Sequence, residues 1–136
     1  MATADPIARK LRDLYEDDFY DWTRSQSKAL RLLAAEGRDG PLDLDNLAEE
    51  VEDLGRAERN ACRSRVVRIL EHFLKLAWSP AHLPRGGQKR SIVDGRNELG
   101  RHLTRTIERR LVGEVESLYQ EARDAVVSIS RSTARR

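Results

Sequence analysis

Apolar residues recur along this chain at steps of three and four, and this periodicity is the feature that most limits its fold. One stripe begins at Tyr15 and continues through Phe19, Trp22 and Leu33. A period near 3.6 places such positions on one face of an α-helix, whereas a half-buried strand needs strict alternation. Charged residues make up 35% of the chain and aromatic residues only 5%, which further disfavours strands. The sequence therefore predicts an all-α protein.

Capping residues and helix breakers divide the first part of this pattern. We expect the first helix to begin at Asp5-Pro6, since Asp is a good N-cap and Pro suits the first helical position. It should end at Glu36-Gly37, with a break allowed between Asp13 and Asp17. The second helix begins near Asp43 and is weakened or ended by Gly55.

The second part of the chain carries the most apolar helix and the clearest loop. The helix spans residues 56–78, and the loop covers residues 79–90, with two prolines and a Gly-Gly pair. Ser91, with Asp94 three residues later, resembles a capping box and should open the next helix. Gly113 marks the joint to the last helix. The predicted architecture is a helical bundle of about five helices.

Length and cysteine content favour one cytoplasmic domain. A chain of 136 residues fits a single domain, which we place at residues 1–130, with a disordered basic tail at 131–136. The single cysteine, Cys62, forms no intrachain disulfide, which fits a reducing compartment. Residues 1–30 lack the apolar core of a signal peptide. No run approaches the roughly 18 apolar residues of a membrane helix, so we expect no membrane association.

Charge is unevenly divided along the chain. Residues 1–60 hold 9 basic and 15 acidic side chains, a net charge of −6, whereas residues 61–136 hold 16 and 8, a net charge of +8. Such a division is typical of a basic region that contacts nucleic acid. It is also typical of helical halves of opposite sign that pack together or against a partner. The basic residues alternate with glutamates along the helices, which favours the second interpretation.

Several motifs together resemble one family. They are a Tyr-x-x-Asp-Phe-Tyr-x-Trp start at 15–22, the segments Leu42 to Glu50 and Glu52 to Arg59, the pair Ser64-Arg65, and a His-x-Leu-Lys step at 72–75. The chain is similar in these segments to a bacterial family known as domain of unknown function number 29. The match is strongest over residues 15–80.

The second half departs from that family. Ser91 is followed by Ile92 instead of the usual Trp, and no Ser-Pro-Ser-Leu turn occurs near Thr106. The closing Tyr-x-x-x-Arg step is present as Tyr119 and Arg123. The resemblance implies an all-helical fold and no particular activity.

The densest acidic cluster comprises Glu49, Glu50, Glu52 and Glu58. Glu49 shares a helical face with Glu52 and Asp53, and two carboxylates so placed can hold a hydrated Mg²⁺. Helical nucleotide pyrophosphohydrolases use a Glu-Glu-x-x-Glu motif, which this segment matches if Asp53 replaces the last Glu. Their downstream Glu-x-x-Asp motif has no counterpart at a suitable distance. A solvated acidic face, or ion pairs to arginines, is the alternative, and we expect no bound metal or cofactor.

His72 joins the acidic cluster as a candidate functional residue. It flanks the apolar stripe of its helix, where Glu49 or Glu52 from a neighbouring helix would pair with it. Such a pair serves structure as readily as chemistry. A zinc site built from His72, His82 and His102 is disfavoured, because their spacings put no two of them at i and i+4.

A candidate basic surface lies in and after the predicted loop, at Arg85, Lys89, Arg90, Arg96 and Arg101. These side chains are suited to phosphate contacts. No aromatic residue interleaves them, and no helix-turn-helix signature accompanies them. A solvated surface is therefore the simpler interpretation.

Three functions remain open from the sequence. The favoured one is a non-catalytic binding or regulatory module that acts through protein contacts, with a protein partner or with itself. The second is a metal-dependent hydrolase that uses the acidic cluster. The third is a nucleic-acid-associated protein that uses the basic second half.

Overall fold

The protein is built from α-helices, as its computed structural model shows for residues 5–78 and 85–135. Six helices follow one another in this part of the chain: α1 (Pro6–Asp17), α2 (Phe19–Ala35), α3 (Leu44–Trp78), α4 (Gly86–His102), α5 (Arg105–Gly113) and α6 (Val115–Ala134). No strand occurs among these residues. The all-α prediction is confirmed, with six helices in place of about five. None of the helices described is both long and apolar enough to cross a membrane.

The first predicted helix is interrupted at Asp18, next to the stretch in which the sequence allowed a break. Asp18 has a non-helical backbone, with φ −150° and ψ 82°. Its Oδ1 accepts the backbone N–H of Asp21 at 3.0 Å. This N-cap satisfies one of the donors that the start of α2 leaves open, which is why the chain can turn here.

α3 is one continuous helix of 35 residues, whereas the sequence predicted two helices that meet at Gly55. Gly55 is buried against α2, and a Cβ added to it would lie 2.1 Å from Thr23 Oγ1. The glycine therefore permits a close helix–helix contact without ending the helix. Its intrinsic cost of about 1 kcal/mol relative to alanine is offset by the packing it allows.

α4 begins at Gly86, five residues before the predicted start at Ser91, and takes in the Gly-Gly pair assigned to the loop. Its N-cap residue, Arg85, makes no side-chain cap. The Arg85 guanidinium instead donates to the carbonyl oxygen of Leu76, one of the acceptors that the end of α3 leaves open. This bond ties the start of one helix to the end of the other. Ser79-Pro80 and His82 lie outside the described residues.

A second break, at Leu103-Thr104, separates α4 from α5 and was not predicted from the sequence. Leu103 is extended, with φ −73° and ψ 121°. Thr104 Oγ1 accepts the backbone N–H of Ile107 at 3.2 Å, which caps the first turn of α5. The predicted joint near Gly113 is present, since α5 ends there.

α6 extends to Ala134 and so includes most of the segment that the sequence assigned to a basic tail. The hydroxyl of Ser130 donates to the carbonyl of Val126 at 3.1 Å, and that of Thr133 donates to Ile129 at 3.0 Å. Hydroxyl side chains in a last turn can bond to preceding carbonyls in this way and remain compatible with a helix.

The chain divides into two compact units. Unit 1 is Met1–Asn60 with Thr104–Ile107, and unit 2 is Ala61–Leu103 with Glu108–Arg136. The predicted domain over residues 1–130 stays a prediction.

Unit 1 is organised around the carboxylate of Asp18, which is only 9% exposed. Its Oδ2 accepts the backbone N–H of Thr106 at 3.1 Å and the Thr106 hydroxyl at 2.8 Å. Leu44, Ala48 and Ile107 are buried in the same unit. One side chain thus caps α2 and holds the start of α5.

The pKa of Asp18 lies below its ordinary value. Burial raises it, but hydrogen bonds from Asp21, Thr106 and Thr104 outweigh that effect and lower it. A carboxyl whose pKa is lower in the folded state stabilises the fold above its unfolded-state pKa, and that contribution is lost as the pH falls through the folded-state value.

Unit 2 has its own core, formed by residues of α3, α4, α5 and α6, at Cys62, Val67, Ile69, Ile92, Leu111, Leu118, Ala122 and Val126. Arg63 of α3 forms two ion pairs beside this core. Its guanidinium lies 2.7 Å from Glu121 and 3.5 Å from Glu114. The hydrogen bond with Glu121 raises the pKa of Arg63, so this cation stays charged.

Replacing Gly55 with Ala should destabilise the protein by about 1–3 kcal/mol, because the new methyl group overpacks the contact with Thr23. Gly100→Ala is the matched control. Nothing lies within 4 Å of a Cβ at that helical position, so the free energy of unfolding of this variant should rise by up to about 1 kcal/mol. Urea unfolding measures both changes. The double variant Thr23→Ala/Gly55→Ala should lose less unfolding free energy than the two single variants lose together. Strictly additive losses would contradict the proposed contact.

Replacing Asp18 with Asn should cost roughly 1–3 kcal/mol of unfolding free energy at pH 7, because charge-assisted bonds to α2 and α5 are lost. Since the pKa of Asp18 is lowered in the folded state, the difference from the unmodified protein should shrink as the pH falls below about 4. Denaturant unfolding at several pH values measures it. Asp17→Asn, the same change at an exposed neighbour, should have little effect. Equal losses in both variants would show that Asp18 has no special role.

Candidate binding pocket

Unit 2 contains a pocket of about 300 Å³ between α3 and α4. Its α3 wall carries three cationic or imidazole side chains, Arg65, Arg68 and His72, together with Ser64. Ile69 and Ala61 complete that wall, and α4 contributes Ser91 and Gly95. The pocket therefore combines a small apolar surface with several hydrogen-bond donors.

Helical spacing brings the α3 residues of the pocket together. Ser64, Arg68 and His72 follow one another at steps of four, and Arg65 lies beside them. Positions three and four apart share a face of an α-helix, so their side chains project to the same side. The convergence is thus a property of α3 alone, before α4 packs against it.

Gly95 sets how closely α4 approaches that face. A Cβ added to Gly95 would lie 3.0 Å from Cγ1 and 3.4 Å from Cδ1 of Ile69. A methyl group at this position would require the isoleucine to shift by a few tenths of an ångström. The floor of the pocket is therefore the buried Ile69 side chain against the α4 backbone.

The pocket residues differ in how far they are already engaged. Arg65 lies 3.3 Å from Glu98, which also lies 3.2 Å from Arg101. Nδ1 of His72 hydrogen-bonds to Oε1 of Gln88, which leaves Nε2 as the ring nitrogen that can meet a ligand. Arg68 is exposed and has no ion-pair or hydrogen-bond partner among the described residues.

The chemistry of this set suits an anion. Guanidinium groups donate hydrogen bonds and do not accept them, and a serine hydroxyl can donate to an oxyanion. No carboxylate is among the residues that line the pocket in the described part of the chain. Arginine is the residue best suited to planar, bidentate contacts with carboxylate or phosphate groups.

The acidic cluster predicted from the sequence does not converge. Glu49 and Glu50 are exposed, and Glu52 lies 2.5 Å from Arg31 and 3.5 Å from Arg56. The hydrogen bond from Arg31 lowers the pKa of Glu52. Successive helical residues differ by about 100° in direction, so these carboxylates and Glu58 spread around α3.

His72 does not join that cluster. The predicted pairing with Glu49 or Glu52 required neighbouring helices, but all three residues lie on α3. His72 contacts Gln88 of α4 instead. Over residues 5–78 and 85–135, no group of three or more His, Cys, Asp or Glu side chains is arranged to hold a metal ion.

The candidate basic surface is also dispersed. Arg85 bonds to the carbonyl of Leu76, and Arg101 pairs with Glu98. Lys89 and Arg96 lie on one side of α4, and Arg90 lies about 100° around the helix from Lys89. These five side chains do not form one face.

The sequence interpretation overlooked Arg68 and gave Arg65 only as part of a family motif. The missed signal was the four-residue step from Ser64 through Arg68 to His72, which places a hydroxyl, a guanidinium and an imidazole on one helical face. The contribution of α4 was not readable in the same way, because the Ser91/Asp94 spacing is typical of a helix cap, whereas α4 begins at Gly86.

The comparisons with known proteins agree with the motifs. The family model described as domain of unknown function DUF29 matches residues 14–135. The match extends through the second half, where fewer motif residues were recognised. No curated protein and no solved structure matches the chain. The chain belongs to the DUF29 family.

Proposed function

We propose that this protein is a non-catalytic helical binding module that recognises an anionic group in the pocket between α3 and α4. One observation carries the proposal: Arg68 enters the pocket beside Arg65 and His72 and has no partner within the described residues. A guanidinium group held on a rigid helix without a counter-ion is available to a ligand.

The surrounding charge supports an anionic ligand. Residues 61–136 hold 16 basic and 8 acidic side chains, a net charge of +8. A field of that sign raises the local concentration of anions and speeds their association. The pocket supplies specificity within this field, because five donor side chains lie close together there.

A binding role fits the pocket better than catalysis does. Ser64 and Ser91 share the pocket with His72, but neither hydroxyl hydrogen-bonds to the imidazole. Activation of a serine nucleophile requires such a bond and a third group that orients the base. Here the group that orients His72 through Nδ1 is the neutral amide of Gln88, in place of the carboxylate of a Ser-His-Asp triad.

We further propose that the module acts through protein contacts in the bacterial cytoplasm. Phe73 and Trp78 of α3 are 49% and 58% exposed, and exposed apolar side chains of this size are suited to a partner surface. The single cysteine fits a reducing compartment.

The proposal predicts saturable anion binding that depends on Arg68. Phosphate, sulfate and succinate are added at constant ionic strength, and amide NMR shifts are followed at Ser64 and Gly95. At least one anion should shift both amides, and Arg68→Gln should weaken its binding at least about tenfold, because a charged hydrogen bond is worth about 1.5–3 kcal/mol. Ser64→Phe, which fills the pocket from an exposed position and keeps every cation, should abolish the shift at Gly95.

Arg109→Gln is the matched control, since Arg109 is an exposed arginine of α5 that does not line the pocket. It removes the same charge and should leave binding nearly unchanged. Equal weakening in Arg68→Gln and Arg109→Gln would mean that the anions respond only to net charge. That result, or the absence of saturable shifts with any anion, would overturn the proposed function.

A further inference from the structure

We infer that the anion recognised by this pocket is a phosphate monoester, an inference that rests on the proposed function. The pocket offers more donors, in more directions, than a carboxylate can use. Two guanidinium groups, two hydroxyls and one imidazole face the same volume of about 300 Å³. A carboxylate presents two oxygens in one plane, whereas a phosphate monoester presents three oxygens in a tetrahedral arrangement and carries a charge of about −1.5 to −2.

The donors come from opposite walls, which favours the tetrahedral group. α3 supplies Arg65, Arg68, His72 and Ser64, and α4 supplies Ser91. A carboxylate paired with the two arginines uses both of its oxygens and has none left for the α4 hydroxyl. A phosphate can direct one oxygen to each guanidinium group and the third toward Ser91.

Arg65 and Arg68 differ in whether their charge is already paired within the described structure. Arg65 is held 3.3 Å from Glu98, so part of its charge is already balanced and its guanidinium is oriented. Arg68 has no such partner in the described structure, and it would contribute the uncompensated charge. One oriented and one free guanidinium together suit a dianion, since a monoanion needs only the free one.

The dimensions of the pocket indicate that the phosphate end of the ligand enters and the remainder stays outside. Drug-sized ligands occupy pockets of about 300–1,000 Å³, so this volume is at the lower limit. The described lining contains no Phe, Tyr or Trp side chain on which a nucleotide base would stack. Ile69 is 9% exposed, whereas Ser64 and Arg68 of the same lining are exposed to solvent. The ester substituent therefore leaves toward solvent.

A competition between matched ligands tests this inference. The probes are a short phosphoserine peptide, the same peptide with glutamate at that position, glycerol phosphate, and a short single-stranded oligonucleotide, each titrated at constant ionic strength and followed by NMR at Ser64 and Gly95. We expect the phosphoserine peptide to bind at least about tenfold more tightly than the glutamate peptide. Ser91→Ala should weaken the phosphopeptide more than the glutamate peptide, because only the phosphate reaches the α4 hydroxyl.

The outcomes separate the two proposals. Equal or tighter binding of the glutamate peptide, with Arg68 still required, would overturn the monoester inference and leave the proposed function intact. Tighter binding of the oligonucleotide, a diester, would overturn it in favour of nucleic acid. If no ligand produces amide shifts that depend on Arg68, both the monoester inference and the proposed function are overturned. If the monoester is confirmed, tighter binding of the phosphopeptide than of glycerol phosphate assigns it to a polypeptide, and the reverse assigns it to a small molecule.

Discussion

The carboxylate of Asp18 is the interaction on which the organisation of unit 1 depends. It caps α2 through Asp21 and accepts two hydrogen bonds from Thr106, a residue far away in sequence. Burying a carboxylate is costly unless its oxygens are hydrogen-bonded, and here both are. The same carboxylate explains the positions of both helix breaks, because it accepts hydrogen bonds from the first turn of α2 and from the first turn of α5. The Tyr-x-x-Asp-Phe-Tyr-x-Trp motif thus includes a residue whose role becomes clear only through Thr104–Ile107.

Much of the helical architecture could be predicted because each helix carries its own apolar period. The interruption near Asp18 and the joint at Gly113 were both readable locally. The errors share a cause, which is that the deciding contact lies elsewhere in the sequence. Gly55 was expected to weaken or end a helix because its partner Thr23 was unknown. The break before α5 was missed because the cap by Thr104 competes with an uninterrupted apolar stripe.

The candidate site was harder to predict than the fold. Acidic residues crowd the first half of α3, and the sequence left open whether they converge on a metal or form a solvated face with ion pairs to arginines. The helix spreads them around its circumference and pairs Glu52 with Arg31 and Arg56. The pocket residues are fewer and more widely spaced, but their steps of three and four bring them to one side. The side of the helix from which a residue projects is therefore a better guide to a site than the local density of charged residues.

Gly95 has a consequence for how pockets can differ within the family. It holds α4 against Ile69 so closely that a methyl group at this position would meet the isoleucine at 3.0 Å. Alanine at this position would require a shift of a few tenths of an ångström, either in the Ile69 side chain or in the separation of α3 and α4. The width of the pocket is then set by the combined volume of two facing residues, independently of the arginines. Pairs of substitutions at positions 69 and 95 would thus change the space between α3 and α4 while the charged groups stay the same.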